Sequence, residues 1–416
     1  MIFFDVPLRY HEKQRRNKMK IKKILSAVLV VVMIFAMTAC SSSTPKSSDS
    51  GDVTASTIKI GAIFIGDENE GYTAAHYEGM QGMLKSLGID SSQLIIKWNI
   101  PEGDECLKAA EDLADQGCNI IFANSFGHED YVIQAAEEFP DVQFCHATGY
   151  QATSSGLSNM HNYFTAVYES RYVSGVVAGL KLNEMIEKGD IKAEEAKIGY
   201  VGAYPYAEVV SGYTAFFLGV KSVCDAATME VQYTSSWANQ AIEKQTAEAL
   251  IADGCVLISQ HADTVGAPTA CEDAKVPCVG YNISMIAAAP DAALTSASID
   301  WAPYYTYAVK CILDGEDIVT DWCQGYNEGA DKITELNDKT VAEGTADKVA
   351  EVEEAIKTGK LQVFDTSTFT IGGKSLEDYL AAEGKEDANV YDGAYHESTS
   401  ASAPSFEYRI DGITEK

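Results

Sequence analysis

From residue 57 onward, short and almost continuously apolar runs alternate with longer segments whose apolar positions recur at helical spacing. Residues 58–65 (IKIGAIFI) and 255–262 (CVLISQHA) are of the first kind, which is typical of strands buried on both faces of a parallel sheet. Residues 72–87 are of the second kind and are followed by Gly88, a residue type that commonly ends helices. This alternation predicts an α/β fold with parallel sheets covered by helices.

The same pattern sets the bounds of the predicted elements. It predicts strands over residues 58–65, 94–100, 118–125, 142–148, 196–204, 228–236, 255–262, 276–282 and 294–300. It predicts helices over residues 72–87, 104–116, 129–139, 168–187, 207–224, 239–252, 267–274 and 301–313.

Two stretches of the chain echo each other and indicate two similar halves. Residues 111–124 read EDLADQGCNIIFAN, and residues 248–261 read EALIADGCVLISQH. In each, a helix ends at a Gly-Cys pair and an apolar run leads into a polar loop. Ligands of open parallel sheets bind beyond the carboxyl ends of the strands. Two facing lobes would bring both loops to one cleft, whereas two copies of a common strand–helix unit need not share a site.

The charge balance excludes nucleic acid as a partner. The 416 residues include 31 Lys and Arg against 61 Asp and Glu, whereas phosphate binding requires a basic face. A solvated acidic surface is the better interpretation. The length suits two domains, and a hydrophobic content of 46% suits a chain that buries a core.

The first 39 residues differ from the acidic body, because they hold eight basic and two acidic side chains. A charged segment starting at Met19 precedes an apolar run at 24–35 and small residues, which is the layout of a secretory signal peptide. The run is shorter than the ~20 residues of a membrane span, although an uncleaved anchor is the alternative. Residues 37–40 (MTAC) resemble a bacterial lipobox. They imply a lipidated Cys40, a Ser-rich tether over 40–56, and an extracytoplasmic position on the cell membrane.

Motifs for catalysis or metal binding do not account for this chain. The ten cysteines form no CxxC pair, so no metal site is predicted, and the disulfide state of the nine beyond Cys40 stays open. No nucleotide-binding loop, GxSxG or HExxH occurs, and no cofactor is predicted. His261 and Asp263 could form an acid–base pair. Hydrogen bonding to a ligand or to their loop is favoured, because no nucleophile accompanies them.

Aromatic and amide side chains recur where the predicted strands end. A flat heterocycle stacks on aromatic rings, while amide, carboxylate or imidazole groups bind its edge. The recurrence predicts a ligand site made of Tyr72, Asn124, Phe126, Tyr150, Tyr204, Trp237, His261, Asp263, Tyr281, Asn282 and Trp301.

Several short motifs, in order along residues 57–365, resemble the basic membrane protein (BMP) family of transporter-associated lipoproteins. They are FANSFG (122–127), PDVQFCHATGY (140–150), IGYVGAYPYAEVV (198–210), SSW (235–237), QHAD (260–263), SIDWAPYY (298–305) and LQVFD (361–365). The resemblance implies two Rossmann-like lobes of type I periplasmic-binding-protein architecture, joined by a hinge that the chain crosses three times. It also implies a ligand that is a purine nucleoside, a purine base or another flat heterocycle such as riboflavin.

The resemblance also implies a division of the chain and roles for particular residues. Lobe 1 is expected to comprise 57–163 plus 293–320, and lobe 2 to comprise 164–292 plus 321–365. The segment 366–416 lies beyond the resemblance and is separately expected to pack on lobe 2. The stacking rings of the family fall on Tyr72 and Trp237. The nucleoside-binding branch holds ribose with an Asp and a Lys. Asn282 stands at the first position and residues 298–300 contain no Lys, which favours a free base.

Together these features predict a monomeric lipoprotein that is not an enzyme. It would capture a purine base or related heterocycle by hinge closure and deliver it to an ABC permease. One alternative is a sensor component that presents its ligand to a membrane kinase. A second is an exported nucleoside hydrolase, for which the acids at 67–70 would form a catalytic cluster rather than a solvated loop.

Overall fold

A computed structural model describes residues 53–399 and 401–416. The predicted signal peptide, the lipidation site Cys40 and most of the predicted tether lie outside the described residues. Within the described ranges, no helix combines the length and apolar character needed to cross a membrane.

The first of two main sheets is entirely parallel. It contains β1 (Ile60–Ile63), β2 (Leu94–Lys97), β3 (Ile120–Ala123), β4 (Gln143–Ala147), β5 (Met160–Thr165) and β11 (Asp321–Gln324). The strand order is β11–β5–β4–β3–β1–β2.

The second sheet is parallel except at one edge. It contains β6 (Lys197–Gly202), β7 (Thr228–Tyr233), β8 (Leu257–His261), β9 (Cys278–Tyr281), β10 (Ala293–Ile299), β12 (Asp331–Ile333) and β15 (Ile413–Glu415). The order is β12–β10–β9–β8–β6–β7–β15, with β12 antiparallel to β10. The predicted α/β class is therefore confirmed.

Helices connect the strands, and all eight predicted helices are present with ends shifted by at most a few residues. The helices are α1 (Gly71–Leu87), α2 (Asp104–Asp115), α3 (Glu129–Glu138), α4 (Ala152–Ser155), α5 (Tyr168–Lys188), α6 (Ala207–Lys221), α7 (Gln240–Ala252), α8 (Gly266–Ala274), α9 (Ala302–Asp314), α10 (Thr345–Lys357) and α11 (Leu376–Glu383). In the two main sheets, four strands were not predicted, since their polar residues obscure the apolar run that marks a buried strand; they are β5, β11, β12 and β15.

Helices α5 and α6 pack closely enough to require glycine. A Cβ atom at Gly175 would lie 2.0 Å from the carbonyl oxygen of Phe216, and one at Gly219 would lie 2.0 Å from that of Tyr172. Only residues without a side chain permit this approach. The contact fixes the position of α5, which carries the fully buried Arg171.

The chain passes between the two sheets three times: after β5, after β10, and between β11 and β12. Two strands differ from the predicted division. Strand β10, expected in lobe 1, pairs with β9 in the second sheet, and β11, expected in lobe 2, pairs with β5 in the first. An apolar pattern shows that a strand is buried but not which sheet edge supplies its hydrogen-bond partners.

Residues 366–416 pack against the second sheet, which β15 extends beside β7. They include a hairpin of β13 (Val390–Tyr391) and β14 (Ala394–Tyr395). Fully buried Phe406 stacks on Phe364 with ring centroids 4.5 Å apart. The backbone N–H of Ser402 also donates to Asp321 Oδ1 at 2.8 Å, so this segment reaches a strand of the first sheet as well.

The end of the predicted tether belongs to the folded body. The carbonyl oxygen of Thr54 accepts hydrogen bonds from the backbone N–H groups of Thr57 and Ile58, and Gln93 Nε2 donates to the carbonyl oxygen of Ala55 at 3.0 Å. Residues 53–56 are thus not part of a free linker. All nine described cysteines are free thiols, and eight of them are buried.

Candidate functional site

A cleft of about 600 Å³ lies between the carboxyl ends of the strands of the two sheets. It is lined by Ile65, Gly66, Glu70, Tyr72, Asn124, Ser125, Phe126, Thr148, Glu208, Trp237, Ala238, Asp263 and Tyr281. The loops after β3 and β8, which follow the two echoed sequences, both reach it. The two sides also touch, because the backbone N–H of Gly71 donates to the carbonyl oxygen of Asp263 at 3.2 Å.

Tyr72 provides the aromatic surface on the side of the first sheet. It lies in the first turn of α1, which is capped by Glu70 through hydrogen bonds from the N–H groups of Tyr72 (2.6 Å) and Thr73 (2.9 Å). The Tyr72 hydroxyl donates to the carbonyl oxygen of Asn124 at 2.5 Å. These contacts hold the ring in one orientation.

Trp301 does not line the cleft but supports Tyr72 from behind. It is 1% exposed and stacks on His76, with ring centroids 3.9 Å apart and an interplanar angle of 15°. His76 in turn meets the Tyr72 ring edge-on at 4.5 Å. The predicted role of Trp301 as a ligand contact is therefore not supported, because a layer of side chains separates it from the cleft.

Two residues that line the cleft on the side of the first sheet carry buried polar atoms with no hydrogen-bond partner among the described residues. Asn124 Oδ1 accepts a hydrogen bond from the N–H of Ile65 at 3.0 Å, while its Nδ2 is buried without a partner among the described residues. The buried Thr148 hydroxyl likewise has no partner in the described part of the chain. Buried polar groups normally form hydrogen bonds, so these two can bind a ligand.

Trp237 and Tyr281 form the aromatic surface on the side of the second sheet. The backbone of Trp237 is fixed through its carbonyl oxygen, which accepts from the N–H of Asp263 at 2.9 Å. Tyr281 is 2% exposed and ends β9. Behind its ring lies the guanidinium group of Arg171.

Asn282 and His261 were predicted as ligand contacts but lie behind the lining. Asn282 Nδ2 donates to Asp263 Oδ1 at 2.7 Å and so positions that carboxyl group. His261 is fully buried, and its Nε2 lies 3.4 Å from Glu208 Oε1. Desolvation, with a smaller effect of nearby Arg171, lowers the pKa of His261 well below its usual value, so the imidazole is neutral.

Three carboxyl groups line the cleft, and burial raises the pKa of each. The pKa of Glu208 is raised to about 7 by desolvation, against the opposing effect of Arg171. The pKa of Asp263 is raised well above its usual value by desolvation and by the neighbouring charges of Glu70, Glu243 and Glu208. The pKa of Glu70 is also raised by desolvation, although its hydrogen bonds oppose the shift. The cleft therefore offers acceptors whose charge depends on pH and on the ligand.

Exposed rings from both sides surround the mouth of the cleft. Phe126 is 42% exposed and stacks on Tyr206 with ring centroids 5.9 Å apart, and Tyr150 lies 6.3 Å from Phe126. Tyr204 stacks on Tyr206 at 5.0 Å and meets Trp237 edge-on at 5.4 Å. Tyr150 and Tyr204 thus belong to the rim rather than to the lining.

Six of the residues predicted from the sequence line the cleft, and the prediction missed other lining residues. The six are Tyr72, Asn124, Phe126, Trp237, Asp263 and Tyr281. The most important residue that it missed is Glu208, which lies in the first turn of α6 beyond the end of β6. A polar residue just beyond the end of a strand was the rule that selected Asn124 after β3, and the same rule could have selected Glu208 after β6. Residues 53–399 and 401–416 contain no group of three or more His, Cys, Asp or Glu side chains that could hold a metal ion.

Comparisons with known proteins identify similar sequences. Residues 59–365 match the sequence model of a family described as Bmp, ABC transporter substrate-binding protein PnrA-like. A purine-binding protein of Brucella abortus is 33% identical over 327 residues, which cover 77% of this chain and 89% of that protein. A Haloferax volcanii protein named as an ABC transporter glucose-binding protein is 32% identical over 259 residues, 62% of each chain.

Solved structures share the fold at lower sequence identity. The solute-binding protein of an ABC transporter system from Conexibacter woesei aligns with a TM-score of 0.60 at 21% identity. The alignment covers 73% of this chain and 98% of that one.

Proposed function

This chain belongs to the Bmp family of PnrA-like ABC transporter substrate-binding proteins, and from that membership we propose that it captures a purine base and delivers it to an ABC importer. The match confirms the family resemblance drawn from the sequence motifs. Membership makes the chain the substrate-binding component of a transporter, with a small-molecule ligand and a permease partner. The identity of the ligand is the part that we propose.

The observation that carries the proposal is the combination of aromatic walls and unsatisfied edge groups in one cleft. Tyr72 lines one side, and Trp237 and Tyr281 line the other. A flat ring between them would gain stacking and apolar burial. Asn124 and Glu208 are available to bind the edge of that ring. The name of the Brucella relative supports a purine.

Capture would proceed by closure of the two sides on the ligand. The hydrogen bond between Gly71 and Asp263 joins the two sides in the form described, and rings from both sides meet at Phe126 and Tyr206. A ligand that contacts both walls binds the closed form better than the open one and so shifts the population toward it. We propose that this closed form is presented to the permease by a monomeric protein, held outside the cytoplasm through a lipid on Cys40.

We also propose that the protein does not transform its ligand. Of the three carboxyl groups in the cleft, Glu70 caps α1 and Asp263 is held by Asn282, which leaves Glu208 as the group that could activate water beside a bound nucleoside. The family model that the chain matches describes substrate-binding proteins, and this supports capture without turnover. Incubation with inosine should leave the nucleoside intact, and release of hypoxanthine would favour the enzyme.

A thermal-shift screen tests the proposed ligand class. The purified protein is unfolded and refolded to remove any bound solute, and its melting temperature is then measured with purine bases, nucleosides, riboflavin and glucose. A ligand of the folded state raises the melting temperature by mass action. We expect a shift with purine bases. A shift with glucose alone, or with none of these solutes, would contradict the proposal.

A further inference from the structure

We propose that Glu208 determines which purine the cleft captures, by accepting a hydrogen bond from an exocyclic amino group of the ligand, so that the preferred ligand is an aminopurine. The inference rests on the proposed function and goes beyond it by naming the specificity-determining residue and the chemical group that it binds.

The first argument is that Glu208 has no hydrogen-bond donor within the described residues. Its carboxyl group lines the cleft with its side chain 15% exposed. His261 Nε2 lies 3.4 Å from Glu208 Oε1, and it forms no hydrogen bond with any described residue. A nearly buried carboxylate without donors is unfavourable, because it has lost water and gained nothing in exchange. A ligand N–H group would supply the missing donor.

The second argument is the charge around this carboxyl group. The ionisable groups close to the Glu208 carboxyl group on the protein side are His261, Arg171 and Glu397. Those on the cleft side are Tyr72, Tyr281 and Asp263. The cation of this set, Arg171, lies behind the Tyr281 ring and donates Nη1 to the carbonyl oxygen of Gln260. The ligand therefore meets carboxyl groups on this wall. An oxo group placed there would set lone pairs against carboxylate oxygens, whereas an amino group would donate to them.

The third argument comes from the opposite wall, where both free groups can donate a hydrogen bond. Asn124 Nδ2 is buried and unpartnered within the described chain, and the Thr148 hydroxyl is also free to donate. A ligand that spans the cleft must therefore present acceptors to Asn124 and donors to Glu208. An aminopurine has both, since its ring nitrogens accept and its amino group donates.

The protonation of Glu208 makes this selection dependent on pH. Burial raises the pKa of Glu208 to about 7, Glu397 adds to the shift and Arg171 opposes it. The amino group donates to the ionised carboxylate, so bound ligand favours loss of the proton. Adenine binding should therefore tighten as the pH rises from 6 to 8. Neutral His261 does not titrate in this range, because its pKa lies well below its usual value.

The test measures dissociation constants by calorimetry for adenine, unsubstituted purine and hypoxanthine at pH 6 and pH 8. Unsubstituted purine lacks the amino group and adds no bulk. The proteins are the wild type, Glu208→Gln, Glu208→Met and the control Glu68→Gln, which removes an exposed carboxylate close to the cleft. The wild type and the control should bind adenine about tenfold more tightly than purine at pH 8, the usual effect of a hydrogen bond to a charged group.

The variants separate the possible outcomes. Glu208→Gln should reduce the pH dependence to the part that Asp263 and Glu70 contribute, and Glu208→Met should make adenine and purine bind alike. A pH dependence in Glu208→Gln as large as in the wild type, or hypoxanthine that binds the wild type more tightly than adenine, would overturn the role of Glu208. If purines bind but the variants behave as the wild type, only this inference fails. If no purine binds the wild type, the proposed function fails and this inference fails with it.

Discussion

The guanidinium carbon of Arg171 lies 3.6 Å from the centroid of the Tyr281 ring. Both side chains are buried, and Tyr281 faces the cleft while Arg171 lies behind it. The ring is attracted to the cation across its face. A positive charge thus lies behind one wall of the cleft and opposes the rise that burial causes in the pKa of Glu208.

Replacement of Arg171 should shift the pH range over which adenine binding tightens. Arg171→Met removes the charge that favours ionised Glu208, so the pKa of Glu208 should rise above its value of about 7. The midpoint of the pH dependence of adenine binding should move upward with it. Calorimetric titrations between pH 6 and 9 measure this midpoint. Arg409→Met, which removes a partly exposed arginine of the C-terminal segment, should leave it in place.

The raised pKa of Glu208 also predicts how stability varies with pH. The folded state holds this proton more tightly than the unfolded state, whose carboxyl has a pKa of 4.5. The folded state is therefore penalised progressively as the pH rises from about 4.5 to 7, by up to about 3 kcal/mol. Glu208→Gln removes the penalty. Thermal unfolding of the ligand-free protein should show the variant stabilised at pH 8 relative to the wild type, with a smaller difference at pH 5.

That comparison requires its own control, because amide substitutions can alter stability for other reasons. Glu68→Gln affects an exposed side chain and should change the melting temperature by a similar small amount at both pH values. A Glu208→Gln effect that is equal at pH 5 and pH 8 would contradict the assignment of the penalty to this carboxyl group.

Loss of a stacking ring should weaken binding more than loss of a hydroxyl group. Trp237→Ala removes one aromatic wall, and we expect a loss of roughly tenfold or more, because stacking adds about 0.5–1.5 kcal/mol to apolar burial. Tyr72→Phe keeps the ring and removes only the hydrogen bond to the carbonyl oxygen of Asn124. Its effect should be a few-fold at most. Equal losses, measured by calorimetry with the same purine, would exclude a ligand held between the two rings.

Free bases should bind more tightly than their nucleosides. Asn282 is 3% exposed and occupied with Asp263, and residues 298–300 carry no lysine. The wall thus lacks the pair of charged groups that holds ribose in the nucleoside-binding branch. Direct competition between hypoxanthine and inosine, and between adenine and adenosine, measures the difference. Tighter binding of inosine than of hypoxanthine would refute the prediction.

The C-terminal segment should be required for stability. Phe406 is fully buried and stacks on Phe364. Phe406→Ala should therefore lower the free energy of unfolding by about 3–5 kcal/mol. Tyr391→Ala alters a ring of the same segment that is 45% exposed, and it should cost much less. Denaturant unfolding of both variants provides the comparison, and similar costs would mean that Phe406 does not anchor the segment.

Local patterns in the sequence determined the elements and the family. The apolar runs that became β1, β3 and β8 are buried on both faces, and helices of a parallel sheet follow such strands in regular order. Asn124 and Asp263 were predicted as ligand-binding residues because they follow the carboxyl ends of those strands, and parallel strands bring these ends to one edge of the sheet. Elements of this kind follow from periodicity and do not depend on distant parts of the chain.

Tertiary structure alone decided which side chains face the cleft and where two strands pair. Trp301 and His261 are as aromatic and polar as any ligand contact, yet neighbouring side chains cover them. Strands β10 and β11 pair within the sheets whose edges offer backbone partners, which differs from the division that the family resemblance implied. The pKa of Glu208 is raised by burial, and the opposing charge comes from Arg171, 37 positions earlier in the chain. Packing and desolvation join residues that are distant in sequence, so no local pattern encodes them.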